Sequence, residues 1–251
     1  MNNIYSNWVR QTRSNSKQFC VLIDPDRSDE VALGRIVELA ENNRVDYFFV
    51  GGSLLSPDKM EKCLAFLKSV TDIPAIIFPG NNLQVSPTAN ALLFMSLISG
   101  RNPEYLIGQQ VASATYVKEC GLETISTGYV LIDGGSPTSV TYMSNTSPIP
   151  KDKSEIAVST AVAGELLGLK AIYLEAGSGA KYPVRPEMIQ NVKDNISIPL
   201  IVGGGIRTPE RALESCKAGA DLLVVGNALE KEPNLLAEIS EAVHSPIFVS
   251  V

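Results

Sequence analysis

Three times in its last third the chain sets a short apolar run directly before a loop of small residues, and few folds accommodate that recurrence. Ala171 to Leu174 leads into Glu175-Ala176-Gly177-Ser178-Gly179-Ala180, Pro199 to Val202 into Gly203-Gly204-Gly205-Ile206-Arg207, and Leu222 to Val225 into Gly226-Asn227. Each apolar run reads as a buried strand. The glycines and serine after it let backbone N–H groups approach an anion with no side chain in the way, as phosphate-binding nests and helix N-termini do. A lone Gly-Gly-Gly or Gly-Asn is an ordinary turn. Three such loops at strand ends, the last two each followed by a helix, fit instead the phosphate site built after strands seven and eight of a (β/α)8 barrel.

The length agrees with that fold. Barrels of this kind run as one domain at the size of this 251-residue chain, and 45% hydrophobic against 19% charged residues suits a large buried core. We therefore read residues 1–251 as one domain. A net charge of −6 gives no electrostatic footprint for nucleic acid. Any anionic ligand must be held by local dipoles and metal, not by the overall field. Cys20, Cys63, Cys120 and Cys216 are far apart and make no metal-ligand spacing, so they read as reduced core or helix residues of a cytoplasmic protein. No run approaches the roughly 18 apolar residues of a membrane span, and the first residues lack the apolar stretch of a signal peptide.

In chain order, Ile4, Tyr5 and Trp8 predict a short helix that closes the barrel bottom, with Trp8 as packing anchor. Phe19–Asp24 is strand one, apolar throughout as a strand covered on both faces should be. Val31, Leu33, Ile36, Val37 and Leu39 predict the buried face of the next helix, and Tyr47–Gly51 is strand two. Ser56 and Pro57 cap and start helix two, whose stripe is Met60, Leu64 and Leu67. Strand three is Ala75–Phe78. Pro79–Asn90, with two prolines and no helical period, stands where the third helix belongs; Ala91–Ile98 then resumes a strand. Pro103–Cys120 is a helix ended by Gly121. Strand five lies within Glu123–Asp133, with Thr127-Gly128-Tyr129 midway marking a bend or a close approach to ligand. A polar loop, Gly134–Lys153, precedes a helix over Glu155–Leu167, and helices from Pro186, Pro209 and Pro233 follow strands six, seven and eight. The expected fold is thus α/β, a modified TIM barrel whose third crossover helix is replaced by an irregular segment. The doubly wound alternative lacks a GxGxxG after strand one.

In such a barrel Asp24, Ser53, Glu175, Gly204 and Asn227 converge on one mouth. A hard divalent cation relies on one or two carboxylates plus substrate phosphates, so Asp24 with Ser53 and a diphosphate makes a credible shell. Asp24 and Asp26 can equally be loop caps. Glu175 could bind or deprotonate a substrate hydroxyl, or be a buried ion-pair partner of Lys181 or Arg207. His244 reads as a solvated helix-terminal residue. With no Ser-His-Asp set, Cys-His pair or zinc constellation, the chemistry rests on carboxylates, metal and backbone dipoles.

Tyr173-Leu174-Glu175-Ala176-Gly177-Ser178-Gly179, Val202-Gly203-Gly204-Gly205-Ile206-Arg207, Val225-Gly226-Asn227, Ile23-Asp24-Pro25-Asp26 and Gly51-Gly52-Ser53 together resemble the geranylgeranylglyceryl phosphate synthase family. The likeness runs from strand one to strand eight, and that family's barrel also lacks the third helix. It implies a prenyltransferase that joins sn-glycerol 1-phosphate to geranylgeranyl diphosphate through an ether bond, with Mg²⁺ and release of pyrophosphate. Asp24 and Ser53 would bind the magnesium, and Asp24 with Glu175 would serve the chemistry. Tyr173, Leu174, Glu175, Ala176, Gly177, Ser178, Gly179, Gly204, Gly205, Gly226 and Asn227 would hold glycerol 1-phosphate. The AGSG version of the loop resembles the family's second sequence group, which favours the geranylgeranyl donor over a heptaprenyl one, and a homo-oligomer is a further implication. The competing readings are another phosphate-binding barrel, an isomerase or indole-type synthase sharing the GGGIR and GN loops, and a non-catalytic binder of the same phosphoester.

Overall fold

The computed structural model describes residues 3–27, 29–52, 57–226, 228–229 and 232–248. Its strands are β1 (Gln18–Ile23), β2 (Tyr47–Val50), β3 (Ala75–Ile77), β4 (Ala91–Leu97), β5 (Glu123–Leu131), β6 (Ala171–Glu175), β7 (Leu200–Gly203) and β8 (Leu222–Val225). Each pairs in parallel with the next, and β8 returns to β1 with Phe19 beside Leu223, closing the barrel. Because side chains alternate along a strand, neighbouring residues serve different layers. Phe48 packs in the apolar layer with residues of the surrounding helices, whereas Phe49 joins Trp8, Ile76, Tyr129 and Tyr173 inside the barrel.

Helix α1 (Ile4–Arg13) plugs the barrel bottom as expected. The side chain of Asn3 caps it by accepting the N–H of Ser6, and the carboxylate of Glu123, at the start of β5, accepts the N–H groups of Ile4 and Tyr5 at 2.8 Å each. Trp8 is fully buried, edge-on to Tyr47 with centroids 6.0 Å apart. Helix α2 (Glu30–Asn42), capped by Asp29, buries Leu33, Ile36, Val37 and Ala40, with Leu39 partly buried. Val31, expected on that face, is 83% exposed. Two residues before Leu33 it lies about 200° around the helix, so the true stripe passes it by. Helix α3 (Pro57–Val70) buries Met60, Leu64 and Leu67; the predicted cap Ser56 lies outside the described residues.

Between β3 and β4 residues 78–90 form no helix, as the sequence implied. Side chains take over what a helix would supply: Glu61 of α3 accepts the hydroxyls of Ser86 and Thr88, and Gln84, fully buried, bonds to backbone at both ends of its amide. The helix predicted over Pro103–Cys120 opens with a π-helical turn, Glu104–Gly108, before α4 (Gln109–Glu119). Gly128 neither bends β5 out of its ladder nor meets a ligand cavity. A Cβ there would lie 2.7 Å from Ile98 and 2.9 Å from Ile172, and Gly164, in the helix over Ser154–Leu166, faces the same two side chains, so this glycine serves helix packing.

The polar loop hides a short helix, α5 (Ser139–Ser144), capped by Thr138 and ended by Asn145 in the left-handed region. Helices α6 (Ser154–Leu166), α7 (Pro186–Lys193), α8 (Pro209–Lys217) and α9 (Leu235–Val243) complete the outer layer. His244, which closes α9, is not solvated: its side chain is only 10% exposed and its Nε2 lies 3.1 Å from the carboxylate of Asp46. Helix α9 packs on α2, which brings Asp46 within reach. The four cysteines are free thiols, and among the described residues no helix is long and apolar enough to cross a membrane.

Candidate active site

Parallel strands share one direction, so their C-terminal ends open on one mouth, and two cavities meet there. The smaller, about 120 Å³, is lined by Tyr173, Glu175, Gly177, Ser178, Gly179, Gly204, Gly205, Arg207 and Gly226, which brings all three small-residue loops to one place. Gly177, Gly179, Gly204 and Gly205 take φ of +97°, +77°, +83° and +72°. Only glycine adopts these values without strain, and successive glycines so turned present N–H groups toward an anion. At Gly204 the need is also one of space, because a Cβ would come 2.7 Å from the nitrogen of Gly177.

Glu175 ends β6, where the ladder sets it between Leu131 and Gly203. Its side chain is almost wholly buried and accepts the N–H of Gly177 at 2.6 Å. Burial outweighs that bond and its proximity to Tyr173, and raises its pKa to about 7. The hydroxyl of Tyr173, also buried, makes no well-formed hydrogen bond among the described residues, although the Glu175 carboxylate is near enough to perturb it. The hydroxyl thus has capacity left for another partner. The ion-pair reading of Glu175 fails among the described residues. Arg207 donates to the carbonyl of Ala180 at 2.7 Å, and the Lys181 ammonium lies 5.1 Å from the Tyr182 ring centroid.

Leu174 and Ala176, expected with the phosphoester ligands, are not at the cavity. Both are buried in the apolar layer between barrel and helices, because alternation along β6 turns them away from Tyr173 and Glu175. The N–H of Ala176 is taken by the carbonyl of Gly203. Ser53 and Asn227 lie outside the described residues.

The larger cavity, about 380 Å³, runs from Asp24 and Gly52 past Asn82 and Val85 of the irregular segment to Tyr105 and Gln110 beneath α4. Leu92, Leu93, Phe94, Met95 and Leu97 give it an apolar wall. The two cavities share Leu22, Phe78, Tyr129, Ser139, Val140 and Ser178, so a ligand in one abuts a ligand in the other. The rings of Phe78 and Tyr129 each lie 5.4 Å from that of Tyr173, forming an aromatic seam at the junction. Tyr129 stands in the stretch marked for a possible approach to ligand, whereas Phe78 was missed by sequence reasoning. An aromatic one step beyond a buried strand carries no sign of which cavity it will line.

Asp24 stands at the other side of that junction. One oxygen accepts the N–H of Asp26 at 3.0 Å and the other lies 3.4 Å from Arg27 Nε, while the side chain stays 26% exposed toward the large cavity. Capping and ligand binding are thus compatible. No group of three or more His, Cys, Asp or Glu side chains among the described residues could cage a metal. A single accessible carboxylate fits a magnesium ion that takes most of its other ligands from a diphosphate and water. A Cβ on Gly52 would fall 2.9 Å from Asp24 Oδ1, so only glycine leaves that carboxylate room.

Residues 9–243 match the PcrB family. A geranylgeranylglyceryl phosphate synthase of Chitinophaga pinensis is 52% identical over 97% of both chains. The crystal structure of (S)-3-O-geranylgeranylglyceryl phosphate synthase from Thermoplasma acidophilum in complex with sn-glycerol-1-phosphate is 37% identical and superposes with a TM-score of 0.92, covering 97% of this chain and 99% of that one. The tryptophan synthase alpha chain of Legionella pneumophila, at 17% identity, covering 97% of this chain and 98% of that one with a TM-score of 0.59, shares the barrel fold alone. With the same barrel fold and a match that spans almost every residue, this chain belongs to the PcrB family and is a relative of its geranylgeranylglyceryl phosphate synthases.

Proposed function

We propose that the chain catalyses Mg²⁺-dependent transfer of a geranylgeranyl group from its diphosphate to the free primary hydroxyl of sn-glycerol 1-phosphate. The observation that carries this reading is the meeting of a small glycine-lined anion cavity with a long apolar one at a shared aromatic wall. A phosphoester with a polar diol suits the first, and an allylic chain suits the second. Identity to the synthases named above, over nearly the whole chain, supports the same assignment. The free cysteines fit a cytoplasmic setting, and a homo-oligomer is carried over from the resemblance.

On this reading the N–H groups around Gly177, Gly204 and Gly205 hold the phosphate, and the buried pair Tyr173 and Glu175 orients the glycerol hydroxyls. The C1–O bond of the donor breaks, pyrophosphate leaves with the bonding electrons, and the acceptor hydroxyl oxygen forms the new C–O bond. Its proton passes to the Glu175 carboxylate, whose pKa near 7 suits a base at neutral pH. Magnesium, when bound at Asp24, would neutralise the leaving diphosphate. Phe78 and Tyr129 keep water from the seam, where a developing allylic cation would otherwise be captured. Placing both reactants across one wall lowers the entropic part of the barrel's task, which is alignment.

The test is incubation with labelled sn-glycerol 1-phosphate, Mg²⁺ and donors of several lengths, with mass analysis of the ether and measurement of pyrophosphate. A geranylgeranyl ether with one pyrophosphate per product is expected. Tight glycerol 1-phosphate binding with no product from any donor would leave only a phosphoester-binding role.

A further inference from the structure

The irregular segment between β3 and β4 does more than leave a gap. Within it Gln84 is 0% exposed, a rare state for a side chain with four hydrogen-bonding positions. Its Nε2 donates to the carbonyl of Gly52 at 2.8 Å and its Oε1 accepts the N–H of Gly80 at 2.9 Å. One amide thus bridges the loop after β2 to the loop after β3, Gly52 and Gln84 standing 32 positions apart in the chain. Gly52 in turn packs on the Asp24 carboxylate, and Asp24, Gly52 and Gly80 all line the large cavity.

From this arrangement we infer that Gln84 is a positioning residue for the donor's diphosphate: it fixes the Gly52 loop against Asp24, coupling the wall of the prenyl groove to the corner where the leaving group and its magnesium would sit. The inference deepens the function proposed above and rests on it for the identity of the ligand. Among the described residues no other hydrogen bond ties the carbonyl of Gly52 to the irregular segment. The clamp explains why a segment without helix or strand keeps a fully buried glutamine: removing the amide leaves a half-buried carbonyl and N–H at the cavity edge without their partner. Gln84 does not line the small cavity, so glycerol 1-phosphate should be indifferent to it.

The experiment compares wild type, Gln84→Leu and Gln84→Glu in calorimetric titrations with three probes: inorganic pyrophosphate with Mg²⁺, an unreactive thiolo analogue of geranylgeranyl diphosphate with Mg²⁺, and sn-glycerol 1-phosphate. Gln84→Leu is expected to weaken both diphosphate probes at least tenfold while the glycerol 1-phosphate Kd stays within twofold. Gln84→Glu keeps an acceptor for Gly80 but, when ionised, sets an oxygen against the Gly52 carbonyl in place of a donor, so the diphosphate probes should stay at least tenfold weakened in its folded fraction; it decides the question should the leucine variant fail to fold. Equal weakening of all three probes, unchanged affinity for the diphosphates, or wild type that binds neither diphosphate would overturn the inference. Failure of the proposed function is read separately, from wild type that yields no ether in the mass assay.

Discussion

The Glu175 carboxylate accepts the backbone N–H of Gly177 at 2.6 Å, so the candidate acid–base group and the first phosphate loop are set by one contact. Beside it the Tyr173 hydroxyl is buried without a well-formed bond. Both groups are thereby pre-aimed at whatever polar ligand enters between the loops.

Glu175→Gln keeps the shape and most of the hydrogen bonding but cannot take a proton. If Glu175 is the base, turnover falls about 10²- to 10⁴-fold while glycerol 1-phosphate affinity changes little. Wild-type turnover should rise with pH through about 7, where the carboxylate ionises. Steady-state kinetics against pH decide the role, and near-normal turnover in the glutamine variant excludes an essential base.

The same group has a signature in stability. Its folded pKa of about 7 is raised above the ordinary 4.5, so its contribution is fully present below pH 4.5 and is lost as pH rises through 7. The change is roughly 2–4 kcal/mol at the usual value per unit. Thermal melts of the ligand-free protein between pH 4.5 and 8 should show wild type losing stability that Glu175→Gln retains.

Gly204→Ala tests the anion cavity. An alanine must hold φ of +83° with its Cβ against Gly177, so the loop has to shift. A loss of about 1–3 kcal/mol in glycerol 1-phosphate binding is expected from the strain and displaced N–H groups. Calorimetry showing unchanged affinity would remove Gly204 from the site.

Much of this was legible in the chain, for reasons that differ by residue. Eight apolar runs mark a barrel because parallel strands are buried on both faces, and Pro79 to Asn90 betrays the lost helix by breaking period. Gly177, Gly204 and Gly226 converge because topology alone carries strand ends to one mouth. Leu174 and Ala176 turn away from the cavity: a motif names consecutive residues while a strand sends alternate ones to opposite faces. His244 was misread for a different reason: its partner Asp46 is 198 residues away, a distance no local pattern spans. The apolar groove and the role of Gln84 likewise exist only once the irregular segment has folded against β2 and α4.

At the far end of the barrel, Asp221 is a control for the site. It is 3% exposed, accepts the N–H of Leu200 at 2.8 Å, and pairs with Lys193 at 2.6 Å. Asp221→Ala leaves the buried N–H of Leu200 without its acceptor and the partly exposed Lys193 without its ion-pair partner, at a cost of about 1–3 kcal/mol. The melting temperature should fall while both ligand affinities stay unchanged in the folded fraction.

Donor length should follow from the groove. At about 380 Å³ it lies near the small end of ligand pockets, which favours a geranylgeranyl chain over a heptaprenyl one. Met95, an adaptable side chain in its wall, is the place to shorten it. Met95→Trp adds bulk that the packed strands cannot absorb without cost, so the longest donor accepted should become shorter while farnesyl diphosphate is still used. Competition among donors of graded length, read by mass of the ether product, measures this. Equal use of every length by wild type and variant alike would mean that the chain lies elsewhere, and that the wall formed by β4 does not bound it.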